Sequence, residues 1–224
     1  MLERFKKLEE PRLYTHGFSQ SVWRIFGYIG NAFFKSYPPA KNSDKNLLNL
    51  GSGSINLDQF VNADFFRLHK LFSKDKADWM LDITKPLKCK DNFWDGVLME
   101  HTNEHILYSD NYNLLKELYR TMKPGGVIRI VVPDLDKYLE WDNLRKTVTK
   151  MDRYKSLPEA ICNLTQNHLH MSVWNFDLMK EVLSSVGFEN IQKTSFKEGM
   201  MKELLVDCEN HEWQSLYIEG KKQN

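Results

Sequence analysis

The stretch LLNLGSGS, residues 47–54, decides the fold of this chain because an apolar segment runs straight into a cluster of the smallest residues. Leu47, Leu48 and Leu50 are typical of a buried strand. The strand then breaks at the segment Gly51-Ser52-Gly53-Ser54. Glycine adopts positive φ angles and lets the backbone approach a neighbouring group closely. The stretch therefore fits a tight turn, and it equally fits a strand end that contacts a ligand.

Composition and charge place the chain among ordinary globular proteins. Its 224 residues are 42% hydrophobic and 27% charged, and 31 Lys and Arg against 30 Asp and Glu give a net charge of +1. Such a balance offers no overall basic surface, which disfavours a nucleic acid partner. The three cysteines are far apart and lack zinc-site spacing, so we expect a cytoplasmic protein. No apolar run reaches the roughly 18 residues of a transmembrane helix.

Two regions differ in composition. Residues 1–40 are rich in aromatics and end at Pro38-Pro39, which predicts an N-terminal helical extension closed by a stiff boundary. Residues 41–224 form the predicted main domain. From residue 46 strand-like and helix-like stretches alternate, and this alternation predicts an α/β, Rossmann-like fold with a seven-stranded, mostly parallel sheet flanked by helices. The predicted strands lie in LLNLGSG, FVNADFF, ADWMLDI, WDGVLME, KPGGVIRIVVPD, NIQKTSF and QSLYIEG. Within KPGGVIRIVVPD, the KPGG segment is expected to form a turn before the fifth strand.

The aromatic segment FSQSVWRIFGYIGNAFFKS, residues 18–36, has three alternative fates. It packs on the domain as core, lies in a membrane interface as a peripheral contact, or covers the acceptor cleft as a lid. Its aromatic and small residues recur at helical spacing. Gly27 and Gly30 each disfavour an isolated helix by about 1 kcal/mol, so we expect docking against the domain at the border of the cleft.

Polar residues follow the next three predicted strands. The second strand ends at Asp64, the third at Asp82 and the fourth at Glu100-His101. Because the carboxyl ends of parallel strands share one edge of a sheet, we expect these side chains to face a common ligand. Asp64 comes thirteen residues after Gly51, which is shorter than the ~20 residues of a dinucleotide-binding fold. The connection is therefore predicted to hold about one helical turn around NLDQF.

These stretches together resemble a class I S-adenosylmethionine-dependent methyltransferase of the type 11 group. The resemblance covers roughly residues 46–192, in the family's order, and is most specific in EHTNEH and LYRTMKPGGVIRIVVPD. Within the family the chain is most similar to small methyltransferases of polysaccharide and lipopolysaccharide synthesis. The other matching stretches are LNLGSGS, VNADFF, DWMLDITKPL and FDLMKEVLSSVGF.

The resemblance implies S-adenosylmethionine as cofactor and assigns residues to its parts. Residues 51–53 are implied to back the methionine moiety, and Asp64 to hold the ribose hydroxyls. Residues 82–83 are implied to flank the adenine, and residues 100–101 to approach the transferred methyl group. Asn49 stands where the family often carries an acid. The implied cofactor-binding residues are Asn49, Gly51, Ser52, Gly53, Asp64, Asp82, Ile83, Glu100 and His101.

A hydroxyl acceptor calls for a general base, and histidine is the usual choice near neutral pH. The family places a histidine about four residues before an aromatic, which matches His170 and Trp174 and makes His170 the first choice. His101 is the second choice. Asp134 follows the fifth strand, where its carboxylate orients a histidine or binds substrate hydroxyls, or else caps the next helix.

Two histidine pairs have spacings that also occur in metal sites. His101 and His105 are four residues apart, and His168 and His170 are two apart. HTNEH departs from the HExxH motif, and Glu104 with His105 is expected to open the next helix, where the dipole favours an acid. We therefore predict no metal ion.

The sequence-based expectation is an enzyme that O-methylates a sugar hydroxyl of a glycan or glycan precursor. The D/N-P-P-Y motif of nucleobase methyltransferases is absent after the fourth strand. One alternative is N-methylation of a small molecule or a protein side chain, and another is a scaffold that binds the cofactor without catalysis. The aromatics Tyr138, Trp141 and Trp174 are expected either to stack on a sugar or to belong to the core.

Overall fold

The structure is a computed structural model that describes residues 37–41, 43–65, 77–149 and 154–224. The predicted extension over residues 1–40 lies almost entirely outside the described residues. Its docking, lid and membrane alternatives therefore stay predictions. None of the helices in the described part of the chain has the length and apolar character needed to cross a membrane.

Seven strands form one sheet in the described ranges. Their order across the sheet is β3-β2-β1-β4-β5-β7-β6. The strands are β1 (Leu47–Leu50), β2 (Phe60–Asp64), β3 (Trp79–Met80), β4 (Trp94–Glu100), β5 (Met122–Pro133), β6 (Phe188–Thr194) and β7 (Ser215–Lys222).

The sheet is mostly parallel, as predicted. Strands β3, β2, β1, β4 and β5 pair in parallel, and β7 pairs antiparallel with β5 and with β6. The chain runs outward from β1 to β3 and then returns to the other side of β1 with β4. Ligands of open α/β sheets bind at such a reversal of strand order, outside the carboxyl ends. The fold thus brings the ends of β1, β2 and β4 to one candidate site.

Five α-helices accompany the sheet in the described ranges. The last helix begins at the Asn175 cap, whose side chain accepts a hydrogen bond from the Leu178 amide, and ends at Gly187 with φ 114°. Glycine reaches this left-handed conformation without strain, so the predicted end is confirmed. The helices are α1 (Tyr108–Thr121), α2 (Leu135–Leu139), α3 (Trp141–Thr147), α4 (Leu157–Gln166) and α5 (Phe176–Val186).

Two local predictions about connections are wrong. The chain between β1 and β2 contains turns and no helix, because Asn62 fixes this loop from the adjoining strand through its side chain. The segment KPGG, expected as a turn before the fifth strand, lies inside β5 as residues 123–126. A break in the β4–β5 register between Trp94 and Gly96 accommodates it.

The two faces of the sheet are buried under different elements. The main apolar cluster packs the sheet against α1 and α5, and it includes Leu48, Trp94 and Leu115. A smaller cluster covers the other face and includes Leu47 and Leu204. Because both faces are covered, the sequence of β1 is a nearly continuous apolar run, which is typical of strands in buried parallel sheets.

Arg129 lies in the centre of β5 with a side chain that is fully buried. Its guanidinium donates to both carboxylate oxygens of Asp207, at 2.7 and 2.6 Å, and to Glu219 Oε1 at 2.8 Å. It also donates to the carbonyls of Ser195 and Glu198, both at 3.0 Å. Burial alone would lower the pKa of Arg129, but the two carboxylates outweigh it and raise that pKa. Every charge in this network is therefore paired.

We expect Arg129→Ala to lower the free energy of unfolding by about 3–5 kcal/mol, because it leaves two buried carboxylates without a counter-charge. Urea denaturation of the purified chain measures the change. The matched control is Arg145→Ala on α3, since Arg145 is half exposed and its ion pair in the described part of the chain is with the exposed Asp142. The control should stay within about 0.5 kcal/mol of wild type. Equal effects of the two substitutions would contradict a central role for the network.

Candidate active site

Gly51 is required by a contact within the protein. Its φ is 78°, and a Cβ atom placed there would overlap the hydroxyl of Thr102. Thr102 Oγ1 donates to the Leu50 carbonyl at 3.1 Å, so the segment after β4 closes directly over the end of β1. The amides of Gly51 and Ser52 donate to the Ala63 carbonyl at 2.8 and 3.0 Å. The group that lies close to Gly51 is therefore a side chain of the protein itself, Thr102.

Gly53 and Ser52 have the surroundings expected of a ligand contact. Gly53 has φ 58°, and no heavy atom of the described residues lies within 4 Å of the position where a Cβ would stand. Ser52 is 5% exposed, and its hydroxyl has no hydrogen-bond partner among the described residues. Open space beside a buried, unpaired hydroxyl fits a polar ligand lying against the glycine loop.

Asn49 holds the glycine loop in place. Its buried amide donates to the Ile55 carbonyl and to Asn62 Oδ1, both at 3.1 Å. Asn62 in turn accepts from the Leu57 amide at 2.9 Å and donates to Asp78 Oδ2 at 3.0 Å. A direct contact of Asn49 with the cofactor stays a prediction. Asn62 was missed by the sequence analysis, although a polar residue in the middle of the buried strand FVNAD was a signal for such a role.

Asp64 and Asp82 end neighbouring strands at the same edge. Asp64 is 8% exposed, and its Oδ1 accepts from the Phe65 amide at 2.8 Å. Asp82 Oδ1 accepts from the amide and the hydroxyl of Thr84, at 3.0 and 2.7 Å, which forms a local turn. Ile83 is half buried against the main apolar cluster. The strand register sets Asp64 beside the end of β1, as a shared site requires.

Glu100 is directed toward the segment that precedes β7. Its Oε1 accepts from the Cys208 amide at 3.0 Å and lies 3.8 Å from His211 Nδ1. These contacts are on the side of β4 that faces β5 and β7. The expected approach of Glu100 to the transferred methyl group stays a prediction.

His101 lies between the glycine loop and the start of β7. Its φ is 49°, an uncommon value for a non-glycine residue that often marks a functional position. Nδ1 is 3.0 Å from Glu104 Oε1, and Nε2 is 2.9 Å from Ser215 Oγ. The ring also contacts that of His211, with centroids 4.2 Å apart. The fold thus joins a buried carboxylate, an imidazole and a hydroxyl in one chain of hydrogen bonds.

Asp134 takes the capping role that the sequence left open. It is fully buried, and Oδ1 accepts from the Asp136 amide at 3.1 Å at the start of α2. Oδ2 pairs with Lys193 Nζ at 3.1 Å. The described contacts connect it with neither His101 nor His170, so its catalytic role stays a prediction without a contact to support it.

His170 lies on the other side of Glu104 from His101. The Nδ1–H group of His170 bonds to the Leu164 carbonyl at 2.6 Å, and the ring centroid is 5.0 Å from that of His105. The aromatic residue that accompanies it in the predicted motif, Trp174, is 1% exposed and packs in the main core. The two histidines predicted as bases therefore occupy separate surroundings around one carboxylate.

A cleft of about 560 Å³ opens at the same edge, beyond the end of β6 and the start of β7. Ser215 belongs to its lining, and Ser215 Oγ lies 2.9 Å from His101 Nε2. Tyr138 is 1% exposed, like Trp174, which excludes both from stacking on a sugar. The lining residues include Lys137, Lys193, Glu212, Trp213, Ser215 and Tyr217.

The chain matches one family model and resembles solved structures in fold. The model is described as a methyltransferase domain and matches residues 59–130, from the connection before β2 into β5. This segment holds Asp64, Asp82 and the residues after β4 that were assigned to the cofactor. A comparison with curated proteins finds no significant match.

Among similar structures, an S-adenosylmethionine-dependent methyltransferase from Archaeoglobus fulgidus has 20% identity and a TM-score of 0.52, over 96% of this chain and 100% of that chain. A Bordetella parapertussis protein described as a possible exported protein has 12% identity and a TM-score of 0.54, over 92% and 68%. A Thermotoga maritima methyltransferase, described as a possible histamine N-methyltransferase, has 18% identity and a TM-score of 0.50, over 95% and 97%. These similarities support the fold.

We expect Gly53→Arg to abolish binding of S-adenosylmethionine, because the long side chain fills the open space beside the loop. Calorimetry with S-adenosylmethionine and S-adenosylhomocysteine measures this. Gly125→Arg is the matched control, since Gly125 also has a positive φ, 76°, but lies near the opposite end of the parallel strands. The control introduces a comparable backbone strain, and we expect it to bind the cofactor as wild type does. A folded Gly53→Arg protein with unchanged affinity would contradict this location of the cofactor.

We expect Asp64→Ala to weaken binding of S-adenosylmethionine roughly 10- to 150-fold, because it removes hydrogen bonds to a charged group worth ~1.5–3 kcal/mol. Asp58→Ala, in the exposed part of the loop before β2, is the control and should bind as wild type does. If Asp64→Ala retains full affinity, Asp64 does not hold the ribose.

The buried, unpaired hydroxyl of Ser52, the open space at Gly53 and the acids after β2 and β3 suit the parts of S-adenosylmethionine assigned to them. The family match covers the strands that carry two of these features, and the sheet order agrees with the class I fold. The chain is therefore a methyltransferase of the class I fold that uses S-adenosylmethionine as its cofactor.

Proposed function

We propose that this methyltransferase O-methylates a hydroxyl group of a sugar, in a glycan or a glycan precursor. The observation that carries the proposal is the position of His101, which joins the buried carboxylate of Glu104 to a hydroxyl at the lining of the cleft. A carboxylate that holds one imidazole nitrogen leaves the other nitrogen oriented for proton transfer. Such a pair suits an acceptor that must lose a proton, as a hydroxyl does.

The proposed path of the proton begins at the acceptor hydroxyl. Ser215 Oγ lies 2.9 Å from His101 Nε2 and 2.7 Å from the His211 carbonyl oxygen, so its hydroxyl proton has two acceptors within reach when His101 is neutral and protonated at Nδ1. An acceptor hydroxyl takes the place of Ser215 at Nε2, while the Glu104 carboxylate holds Nδ1–H. His101 Nε2 would then receive the hydroxyl proton, and the cofactor, held beside residues 51–53, would supply the methyl group to the acceptor oxygen. The cofactor supplies the activated methyl group, and the chain supplies orientation and the base.

The lining of the cleft supports a polyhydroxylated acceptor. Cationic, anionic and aromatic side chains share its surface, represented by Lys193, Glu212 and Trp213. Tyr217 also lines the cleft, and its buried hydroxyl has no hydrogen-bond partner among the described residues. A few polar groups on an aromatic surface are typical of sites that orient a small polar molecule. The polysaccharide-synthesis resemblance of the sequence points to a sugar as that molecule.

His101 replaces His170 as the base in this proposal. His101 contacts both the end of the glycine loop, through its neighbour Thr102, and the cleft, through Ser215. His170 instead packs beside His105 and bonds to the Leu164 carbonyl.

The proposal is tested by incubating the enzyme and S-adenosylmethionine with a panel of sugars, nucleotide sugars and oligosaccharides, followed by mass spectrometry and linkage analysis. We expect one added methyl group on an oxygen. His101→Ala should lower the rate roughly 10²–10⁴-fold at saturating ligands, with cofactor affinity near wild type. The control is His168→Ala, an exposed histidine that should leave the rate unchanged.

Three outcomes would overturn the proposal. Transfer to nitrogen on amine or peptide acceptors would establish the N-methyltransferase alternative. Cofactor binding without transfer to any acceptor class would favour the scaffold alternative. An unchanged rate in His101→Ala would remove this histidine from the chemistry.

A further inference from the structure

Glu104 leaves one buried carboxylate oxygen without a partner. The residue is 1% exposed and lies in the one-turn 3₁₀ helix Asn103–His105 that follows β4. Oε1 is bonded to His101, but Oε2 has no hydrogen-bond partner among the described residues. Burying an unpaired carboxylate oxygen is costly, so such an atom calls for a ligand.

Two imidazole rings lie near the Glu104 carboxylate. His105 follows Glu104 in the same 3₁₀ helix, and His170 comes from the loop after α4, with the two ring centroids 5.0 Å apart. One ligand atom from each of the three side chains lies within 4.8 Å of the others. This is the group that the described part of the chain offers to a metal ion.

The His170 ring makes a hydrogen bond of the kind that is common among metal-binding histidines. The Nδ1–H group of His170 bonds to the Leu164 carbonyl, which leaves the lone pair of Nε2 available. Metal-binding histidines commonly donate their second nitrogen to a carbonyl in this way.

The loop that carries His170 is fastened to the Glu104 backbone. The amides of Met171 and Ser172 donate to the Glu104 carbonyl at 2.7 and 3.1 Å. Just before these anchors, His168 and Leu169 both have positive φ angles, 60° and 64°. Two consecutive non-glycine residues in this region are strained, and such strain persists where surrounding interactions hold it. Here it turns the His170 ring toward Glu104.

We propose that Glu104 Oε2, His105 and His170 bind a zinc ion. Two imidazoles and one carboxylate form a known zinc ligand set that leaves a fourth position for water. Mg²⁺ and Ca²⁺ prefer oxygen ligands and fit this group poorly. Ligand atoms of one tetrahedral zinc lie roughly 3.4 Å apart, so binding requires the side chains to close inward slightly. His105 is exposed, which gives the ion access from solvent.

This inference replaces the expectation of no metal drawn from the sequence. The motif spacings paired His101 with His105 and His168 with His170. The fold instead brings His105 and His170, one from each motif, close to each other and to Glu104. The ion joins the turn after β4 to the loop before α5. It also occupies the oxygen of Glu104 that His101 does not use, so the two roles of this carboxylate are compatible.

Zinc binding is tested directly on the untagged full-length chain, after treatment with a chelator and removal of the chelator. We expect calorimetric titration with Zn²⁺ to show one equivalent bound, and titration with Mg²⁺ to show none. His105→Ala and His170→Ala should each weaken Zn²⁺ binding by more than roughly 100-fold, because even outer partners of zinc ligands are worth 10–100-fold. Cys162→Ser is the control, since this exposed thiol is the competing soft ligand outside the site.

The test does not use methyl transfer, so its result is independent of the proposed function. If His170→Ala fails to fold, His105→Ala carries the comparison, because the exposed His105 ring can be removed without opening the core. The visible absorption of the Co²⁺-loaded wild-type chain gives a second measure, with tetrahedral nitrogen and oxygen ligation expected. Absent Zn²⁺ binding, unchanged binding in His105→Ala, or binding lost in Cys162→Ser would each overturn the site.

Discussion

The buried ion network around Arg129 is the interaction that fixes the segments around the cleft. Its guanidinium, in the middle of β5, ties β7 through Glu219 and the segment before it through Asp207. Glu219 also accepts from the Met200 amide, so the loop between β6 and β7 is folded around these charges. The start of β7 is thereby set at the sheet edge, with Ser215 beside His101.

Glu104 has a comparable position at the candidate site. One of its oxygens orients His101 toward the cleft, and the proposed zinc ion occupies the other oxygen together with His105 and His170. A buried carboxylate is expensive unless each oxygen is paired. The two assignments therefore satisfy the same physical requirement. In this arrangement the Glu104 side chain holds both the proposed base, His101, and the loop before α5.

The fold was largely predictable from local patterns. Apolar runs bounded by glycine and acid residues placed all seven strands, and Gly187 correctly marked the end of α5. The candidate site was predictable in part, because parallel strands necessarily bring their carboxyl ends together. The error in this region arose because a buried side chain of β2 shapes the preceding loop: Asn62 holds the loop after β1 that was expected to contain a helical turn. Asp134 takes the capping role, which is one of the alternatives that the sequence left open.

The sequence by itself determined the parallel α/β sheet and the edge that carries the predicted cofactor residues, because strand periodicity and strand ends are local properties of the chain. Only the tertiary structure decided which partners meet at that edge. The choice of His101 over His170 beside the cleft, and the grouping of His105 with His170, depend on loops that are separated along the chain and fastened through the Glu104 carbonyl. Motif spacing relates residues within one segment, whereas a site is formed by the packing of several segments.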